Sequence, residues 1–183
     1  GGREMCNDGV LDDFGIQEVY GMHNWPGMPV GSFAIRPGPF FAAADLFEIV
    51  VEGKGAHAAK PHEGFDPTVM GSHIVIALQT IVSRNLDPLA QLVVSVTSFE
   101  TSSNAFNVIP QSVTLKGTVR TLNTDVQDMA ETRIKEIAEG TANMLGGVAT
   151  VTYKRNYPVM VNASEQTDFA ASVAASVSGA CDE

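Results

Sequence analysis

Between residues 45 and 154 the hydrophobic period alternates between two and 3.6 residues in the order strand, helix, strand, strand, helix, strand. That order leaves few folds open. Phe47, Ile49 and Val51 alternate with Glu48 and Glu52, the mark of a half-buried strand. A glycine-rich loop follows, and Asp66-Pro67 supplies a cap with proline at the first helical position. Met70, Ile74, Ala77, Leu78 and Ile81 then recur at helical spacing until Asn85 and Pro88 end the helix. Gln91 to Phe99 and Ser112 to Leu122 read as two strands joined by the polar loop Thr101 to Pro110. In the second, Val113, Leu115, Gly117 and Val119 fall on one face. A helix capped by the Thr124 hydroxyl carries Val126, Ala130, Ile134, Ile137, Thr141 and Leu145 on its apolar side. It stops at Gly146-Gly147, and Val148 to Lys154 reads as the last strand. The order predicts an α+β, ferredoxin-like βαββαβ unit over roughly residues 40 to 156, a four-stranded antiparallel sheet with two helices on one face.

Both flanks are less regular. Residues 1 to 39 hold a short helix from Arg3 to Leu11, a strand-like run from Glu18 to His23 and a Pro/Gly-dense passage from Trp25 to Pro39. Residues 157 to 183 hold Pro158 in a linker and a helix opened by Ser164. Gly1 stands where an initiator methionine would, and Glu183 follows directly on a helix, so the chain reads as cut from something longer.

Charge narrows the class of partner. Among 183 residues, 21 acids outnumber 11 Lys and Arg, for a net charge of −10, and the cations are scattered. A nucleic-acid backbone is therefore not an expected partner. No apolar run approaches the roughly 20 residues of a spanning helix, so no membrane partner and a cytoplasmic location are expected. Cys6 and Cys181 stand at opposite ends without a spaced cluster, which argues for two small hydrophobes rather than a disulfide or zinc framework.

Histidines lead the candidates for chemistry. His23 ends the strand-like run in Gly21-Met22-His23-Asn24-Trp25-Pro26, either as a metal ligand or as a loop histidine bonded to nearby backbone. His57 lies between small residues in Gly53-Lys54-Gly55-Ala56-His57-Ala58-Ala59, free to reach a ligand or simply solvated. His62 reads as structural, near the start of the helix, and His73 as a core or boundary residue of that helix. Asn107, just before Val108-Ile109-Pro110, can stabilise a turn or present its amide to a substrate. Arg120 offers a planar fork suited to a carboxylate, or is an ordinary surface arginine, and Gly117 leaves room for close backbone approach.

Taken together and in order, Gly21-Met22-His23-Asn24-Trp25-Pro26, Gly53 through Pro67, Asn107-Val108-Ile109-Pro110 and Gly117-Thr118-Val119-Arg120-Thr121 resemble the aminoacylase, hippurate hydrolase and auxin-conjugate hydrolase family of metal-dependent amidohydrolases. The resemblance implies a two-metal catalytic domain, with zinc or manganese, into which a ferredoxin-like lid is inserted, and a homodimer made through the lid. It implies hydrolysis of the amide bond of N-acyl amino acids or small peptides. By the same resemblance His23 is a metal ligand and His57 a catalytic donor to the developing oxyanion, reaching the partner's active site. Asn107 and Arg120 then bind substrate, Arg120 holding its carboxylate. The family's Cys-Gly-His-Asp ligand motif, its paired glutamates and its final histidine ligand have no counterpart, and Cys6 is followed by Asn7-Asp8. The chain thus corresponds to a lid, 40 to 156, between two strips of catalytic domain, 1 to 39 and 157 to 183. The competing reading is a free-standing ferredoxin-like dimerisation or small-molecule-binding module without catalysis.

Overall fold

The computed structural model describes residues 2–178 and is α+β. Its main sheet has four strands: β2 (Ala43–Glu52), β4 (Leu92–Thr101), β6 (Ser112–Thr121) and β7 (Val148–Tyr157). All pairings are antiparallel and the order is β4-β6-β2-β7, so the first and third strands of the unit lie at the centre. This is the ferredoxin-like arrangement that the order of periods predicts. Two helices, α3 (Pro67–Thr80) and α4 (Thr124–Met144), cover one face.

The inward phase of β2 places Phe47, Ile49 and Val51 against Val113, Leu115 and Val119 of β6, all at most 3% exposed. From α3 the side chains of Met70, Ile74 and Leu78 close that layer, with Ile81 from the π-helical turn Ile81–Asn85 that continues the helix. On α4 the buried line runs through Gln127, Ala130, Ile134, Ala138 and Ala142, slightly rotated from the line through Ile137 and Thr141 that the spacing suggests. Small alanines let the helix settle closely on the sheet, which makes i, i+4 steps the tightest contact line. Asp66 caps α3 as expected, its Oδ1 accepting from the Thr68 N–H at 2.8 Å. The cap of α4 is Asn123 rather than Thr124. Asn123 is extended and its Oδ1 accepts from the N–H groups of Asp125 and Val126, whereas Thr124 is already in the first turn.

The flanks differ more from expectation. The first helix is broken into α1 (Gly2–Asn7) and α2 (Val10–Asp13) because Gly9 adopts φ 85°, a conformation that ends a helix. Residues 18 to 23 form no strand, since no neighbouring chain offers them a ladder among the described residues. A strand appears instead at β1 (Gly38–Phe41), paired antiparallel with β8 (Met160–Asn162). Beyond it, α5 (Ser164–Ser178) returns to the first flank: Gln166 donates to Glu18 at 2.7 Å and Phe169 meets Tyr20 edge-on at 6.0 Å. The two flanks therefore contact each other outside the main sheet. Cys6 is exposed rather than packed, on a helix that buries nothing, and Cys181 lies outside the described residues. No helix among the described residues is long and apolar enough to cross a membrane.

Candidate functional site

His57 sits on a two-residue strand, β3 (Ala56–His57), which pairs with β5 (Val108–Ile109) at the end of the main sheet where β2 gives way to the loop. This small ladder brings His57 beside Asn107, whose carbonyl accepts from the Ala58 N–H at 2.9 Å. The glycines before His57 are demanded by close packing. A Cβ on Gly53 would fall 2.2 Å from the Phe65 carbonyl, where Lys54 and Phe65 exchange backbone hydrogen bonds. The Ala59 N–H donates to Nδ1 of His57 at 3.1 Å. Nδ1 is thereby an acceptor, so a neutral ring carries its proton on Nε2, which is then a donor. His57 and Asn107 are both exposed, and His57 borders a concavity of about 520 Å³ lined also by Ser102, Ser103, Val108, Pro110 and Gln111.

Gln111 is a structural member of this end that sequence reasoning missed. Its Oε1 accepts from the Gly55 N–H at 3.1 Å and its Nε2 donates to the Gly53 carbonyl at 2.9 Å, stitching the histidine loop to β6. No local pattern announces such a bridge between residues more than 50 positions apart.

Arg120 lies at the opposite end of β6, paired with Ala44 of β2 and Val93 of β4. From Ser112 to Arg120 is eight residues, about 26 Å at the usual strand rise. Its side chain is half-buried: Nη1 donates to the Val119 carbonyl at 2.9 Å, to the Asp45 carbonyl at 3.3 Å and to the Thr118 hydroxyl. Nε and Nη2 have no hydrogen-bond partner among the described residues, so one edge of the fork stays open for a ligand.

His23 belongs to the Arg120 end. Its ring lies 5.4 Å from that of Phe41, at the foot of β2, and 5.9 Å from that of Trp25. Nδ1 donates to the Asn24 carbonyl at 2.6 Å, which leaves the Nε2 lone pair available to a metal. Among the described residues no group of three or more His, Cys, Asp or Glu side chains could hold an ion. His62 lies in the short 3₁₀ turn Pro61–Glu63 ahead of α3, exposed, with Nε2 4.0 Å from Glu63. His73 is exposed on the outer side of α3, contrary to the buried or boundary position expected of it, because the helix turns Met70, Ile74 and Leu78 inward and leaves position 73 facing out.

Comparison with known proteins gives a consistent picture. The N-acetyl-L-cysteine deacetylase of Bacillus subtilis is 40% identical over 162 residues, covering 88% of this chain and 38% of that protein. The hippurate hydrolase of Campylobacter jejuni is 36% identical over 182 residues, 98% of this chain and 46% of its own length. Among solved structures, a dinuclear metal binding peptidase of the M20 family from Bacillus subtilis superimposes with a TM-score of 0.75 at 29% identity, covering 99% of this chain and 44% of that one. The chain thus spans less than half the length of these relatives. Residues 44–143 match the M20 peptidase dimerisation domain. That stretch takes in β4, β6 and α3, all but the first residue of β2 and the last of α4, and the His57 and Arg120 ends alike, and the chain belongs to this family of peptidase dimerisation domains.

Proposed function

We propose that this chain is the lid and dimerisation portion of a metal-dependent amidohydrolase that cleaves the amide bond of N-acyl amino acids or small peptides. In this reading residues 40 to 156 are the lid, and 1 to 39 with 157 to 183 are strips of the catalytic domain. The observation that carries it is the separation of the candidate residues onto two ends of one sheet. Arg120 shares its end with His23 and with the joined flanks, so it serves the active site of its own subunit. His57 and Asn107, about 26 Å away along β6, cannot reach that site and instead complete the site of a partner.

The division of labour follows from the chemistry of each group. Arg120 binds the substrate carboxylate through the open edge of its guanidinium, a charge-assisted contact of the kind a planar fork makes in bidentate form. His57 donates Nε2–H to the oxygen that becomes negative in the tetrahedral intermediate, and Asn107 offers its amide beside it. His23 is one ligand of a two-metal centre, zinc or manganese, whose remaining ligands belong to other parts of the parent enzyme. When bound, such ions activate water and polarise the scissile carbonyl.

The sheet has two edges, and they differ. β7 carries Lys154 and Arg155, and Arg155 is tied to Asp128 and Glu131 of α4, whose outer face is charged. Its carboxylate partner Glu131 is held below the usual range, first by the Lys135 hydrogen bond and also by Arg155. β4 has no charge before Glu100, and α3 beside it exposes Val69 and Ile76, one heptad apart on its outer face. An uncharged edge under an apolar stripe favours self-association there. Replacing Ile76 with Glu is expected to weaken the dimer by about 2–3 kcal/mol, roughly 10²-fold in dissociation constant. Light scattering across a dilution series checks this, and a dimer of unchanged affinity assigns the interface to another surface.

The reading itself is tested in the parent enzyme with an N-acyl amino acid and its carboxamide. Arg120→Ala should raise KM for the free acid by about 10–10²-fold and spare the carboxamide. Equal effects on both substrates remove the clamp assignment. Failure of the metal-loaded parent to hydrolyse either compound removes the activity.

A further inference from the structure

Asp45 is completely buried, yet it is the one acid on the inward phase of β2, in step with Phe47, Ile49 and Val51. Its Oδ2 accepts from Gln127 Nε2 at 2.7 Å and from the Tyr153 hydroxyl at 2.8 Å, while Oδ1, equally buried, has no partner among the described residues. A half-satisfied carboxylate between a sheet and two helices costs stability that an apolar residue of similar volume would not. Stability alone therefore does not account for it.

The other side of the same residue suggests what does. The Asp45 carbonyl accepts from Arg120 Nη1 at 3.3 Å and from the Thr118 hydroxyl at 2.9 Å, and Thr118 in turn contacts Nη1. The guanidinium is thus held between the Asp45 carbonyl and the Val119 carbonyl, which accepts from the same Nη1 at 2.9 Å. Here the β2–β7 ladder loses its regular register, with a shift between Ala44 and Asp45. A bulge re-aims the groups beside it and leaves the local backbone less constrained by the ladder. On the β6 side Asp45 stays in register with Val119, so the irregularity leaves its peptide group held by the ladder from one side. The Asp45 side chain offers a hold on the other layer, anchored on α4 through Gln127 and on β7 through Tyr153. Burial, then the hydrogen bond to Asp45, push the Tyr153 hydroxyl well above the usual phenol range, so it stays a donor across the working pH range.

We propose that Asp45 is a positioning residue for Arg120: its buried carboxylate, tied to Gln127 and Tyr153, sets the carbonyl that orients the guanidinium toward the substrate carboxylate. The proposal rests on the reading of Arg120 as the carboxylate clamp. It adds that substrate recognition on the open face of the sheet is controlled from the helical face, through a single residue whose carbonyl meets Arg120 and Thr118 while its carboxylate meets Gln127 and Tyr153.

The test uses the full-length parent enzyme and the same pair of substrates, an N-acyl amino acid and its carboxamide. Asp45→Ala is expected to raise KM for the free acid about tenfold, with turnover within about threefold and the carboxamide unaffected. Asp45→Asn is expected to restore KM to within about threefold, because its amide oxygen can still accept from Gln127 and Tyr153 while the NH₂ occupies the place of the unpartnered Oδ1. Should Asp45→Ala not fold, Tyr153→Phe removes one of the two anchors with little change in volume and is read by the same comparison, with a rise of about threefold expected. Equal effects on both substrates, or no effect of Asp45→Ala or Tyr153→Phe on a folded enzyme, overturn the assignment. If Arg120→Ala discriminates between the substrates and the Asp45 variants do not, only Asp45 loses its role. If Arg120→Ala itself does not discriminate, the clamp falls and the positioning role falls with it.

Discussion

Replacing His57 with Ala in the parent enzyme is expected to lower turnover by about 10²–10³-fold, the usual consequence of losing one donor to a developing oxyanion. Metal content, dimer affinity and KM should change little. The expectation rests on a specific geometry. The Ala59 N–H occupies Nδ1, so the Nε2 proton is the free one, and the ring stands exposed at the tip of a two-strand ladder. An exposed ring contributes little to folding, so a loss of turnover cannot be traced to instability, and circular dichroism and metal analysis of the variant would confirm that separation. His57→Gln, which can present an amide N–H, should recover part of the rate. A variant that retains full turnover would refute the oxyanion role, as would one whose loss tracks a loss of metal. Because His57 is assigned to the partner's site, mixing His57→Ala with Arg120→Ala subunits gives a sharper result. A heterodimer of the two contains one site with both defects and one with neither. Re-association of equal amounts of the two homodimers, half of which become heterodimers, should therefore restore activity toward about a quarter of the wild-type site count. Residues acting within one subunit would give no such recovery.

Most of the central unit is legible in the sequence because each element has one buried face, and burial writes its period into the chain. Phe47, Ile49 and Val51 on β2, and Met70, Ile74 and Leu78 on α3, are read directly from spacing and are buried as read. The failures share a different cause. β1 and β8 pair across more than 100 residues, and Pro39 and Pro158 mask both as turns. β3 and β5 are two residues each, too short to show a period, yet they carry His57 and flank Asn107. The α4 cap falls one residue before Thr124 because Asn123 and Thr124 are both capable caps and only backbone conformation separates them. His73 reads as inward from its nearness to Ile74, although one helical step rotates a side chain by about 100° and carries it off the stripe. Asp45 carries a usable signal, an acid in phase with three core residues, but its significance depends on Gln127 and Tyr153 arriving from distant elements. Candidate site residues placed by long-range pairing thus leave no local pattern of their own.

Gly117 gives the clearest case of a motif residue whose place is accounted for by packing alone. It lies in Gly117-Thr118-Val119-Arg120-Thr121 on the central strand β6, opposite Phe47 of β2 and Val96 of β4. A Cβ there would lie 2.1 Å from Phe47 Cζ, 2.6 Å from Phe47 Cε1 and 2.4 Å from the Ser95 carbonyl oxygen. The Phe47 ring, 3% exposed, fills the space a side chain would take, and the Ser95 oxygen belongs to a neighbouring strand whose ladder would have to open. Neither can yield cheaply. Gly117→Ala is therefore expected to destabilise the chain by about 3 kcal/mol, at the upper end of the usual overpacking range. For a domain of this size that is a fall of roughly 6–12 °C in Tm. The unfolded-state effect works in the opposite direction, since alanine leaves the unfolded chain less entropy to lose, so a net loss of this size would have to come from the clash. Gly140 supplies the control. It lies exposed on α4, where an added Cβ would meet nothing within 4 Å, and Gly140→Ala should stabilise by about 0.5–1 kcal/mol through helix propensity. Urea unfolding of the two variants should move the midpoint in opposite directions. Equal shifts would mean that the space around Gly117 is softer than the Phe47 ring and the Ser95 carbonyl allow. At temperatures where Gly117→Ala remains folded, the discrimination between free acid and carboxamide should persist if Arg120 is held through Asp45, Thr118 and Val119, and weaken if the spacing of β6 itself sets the clamp.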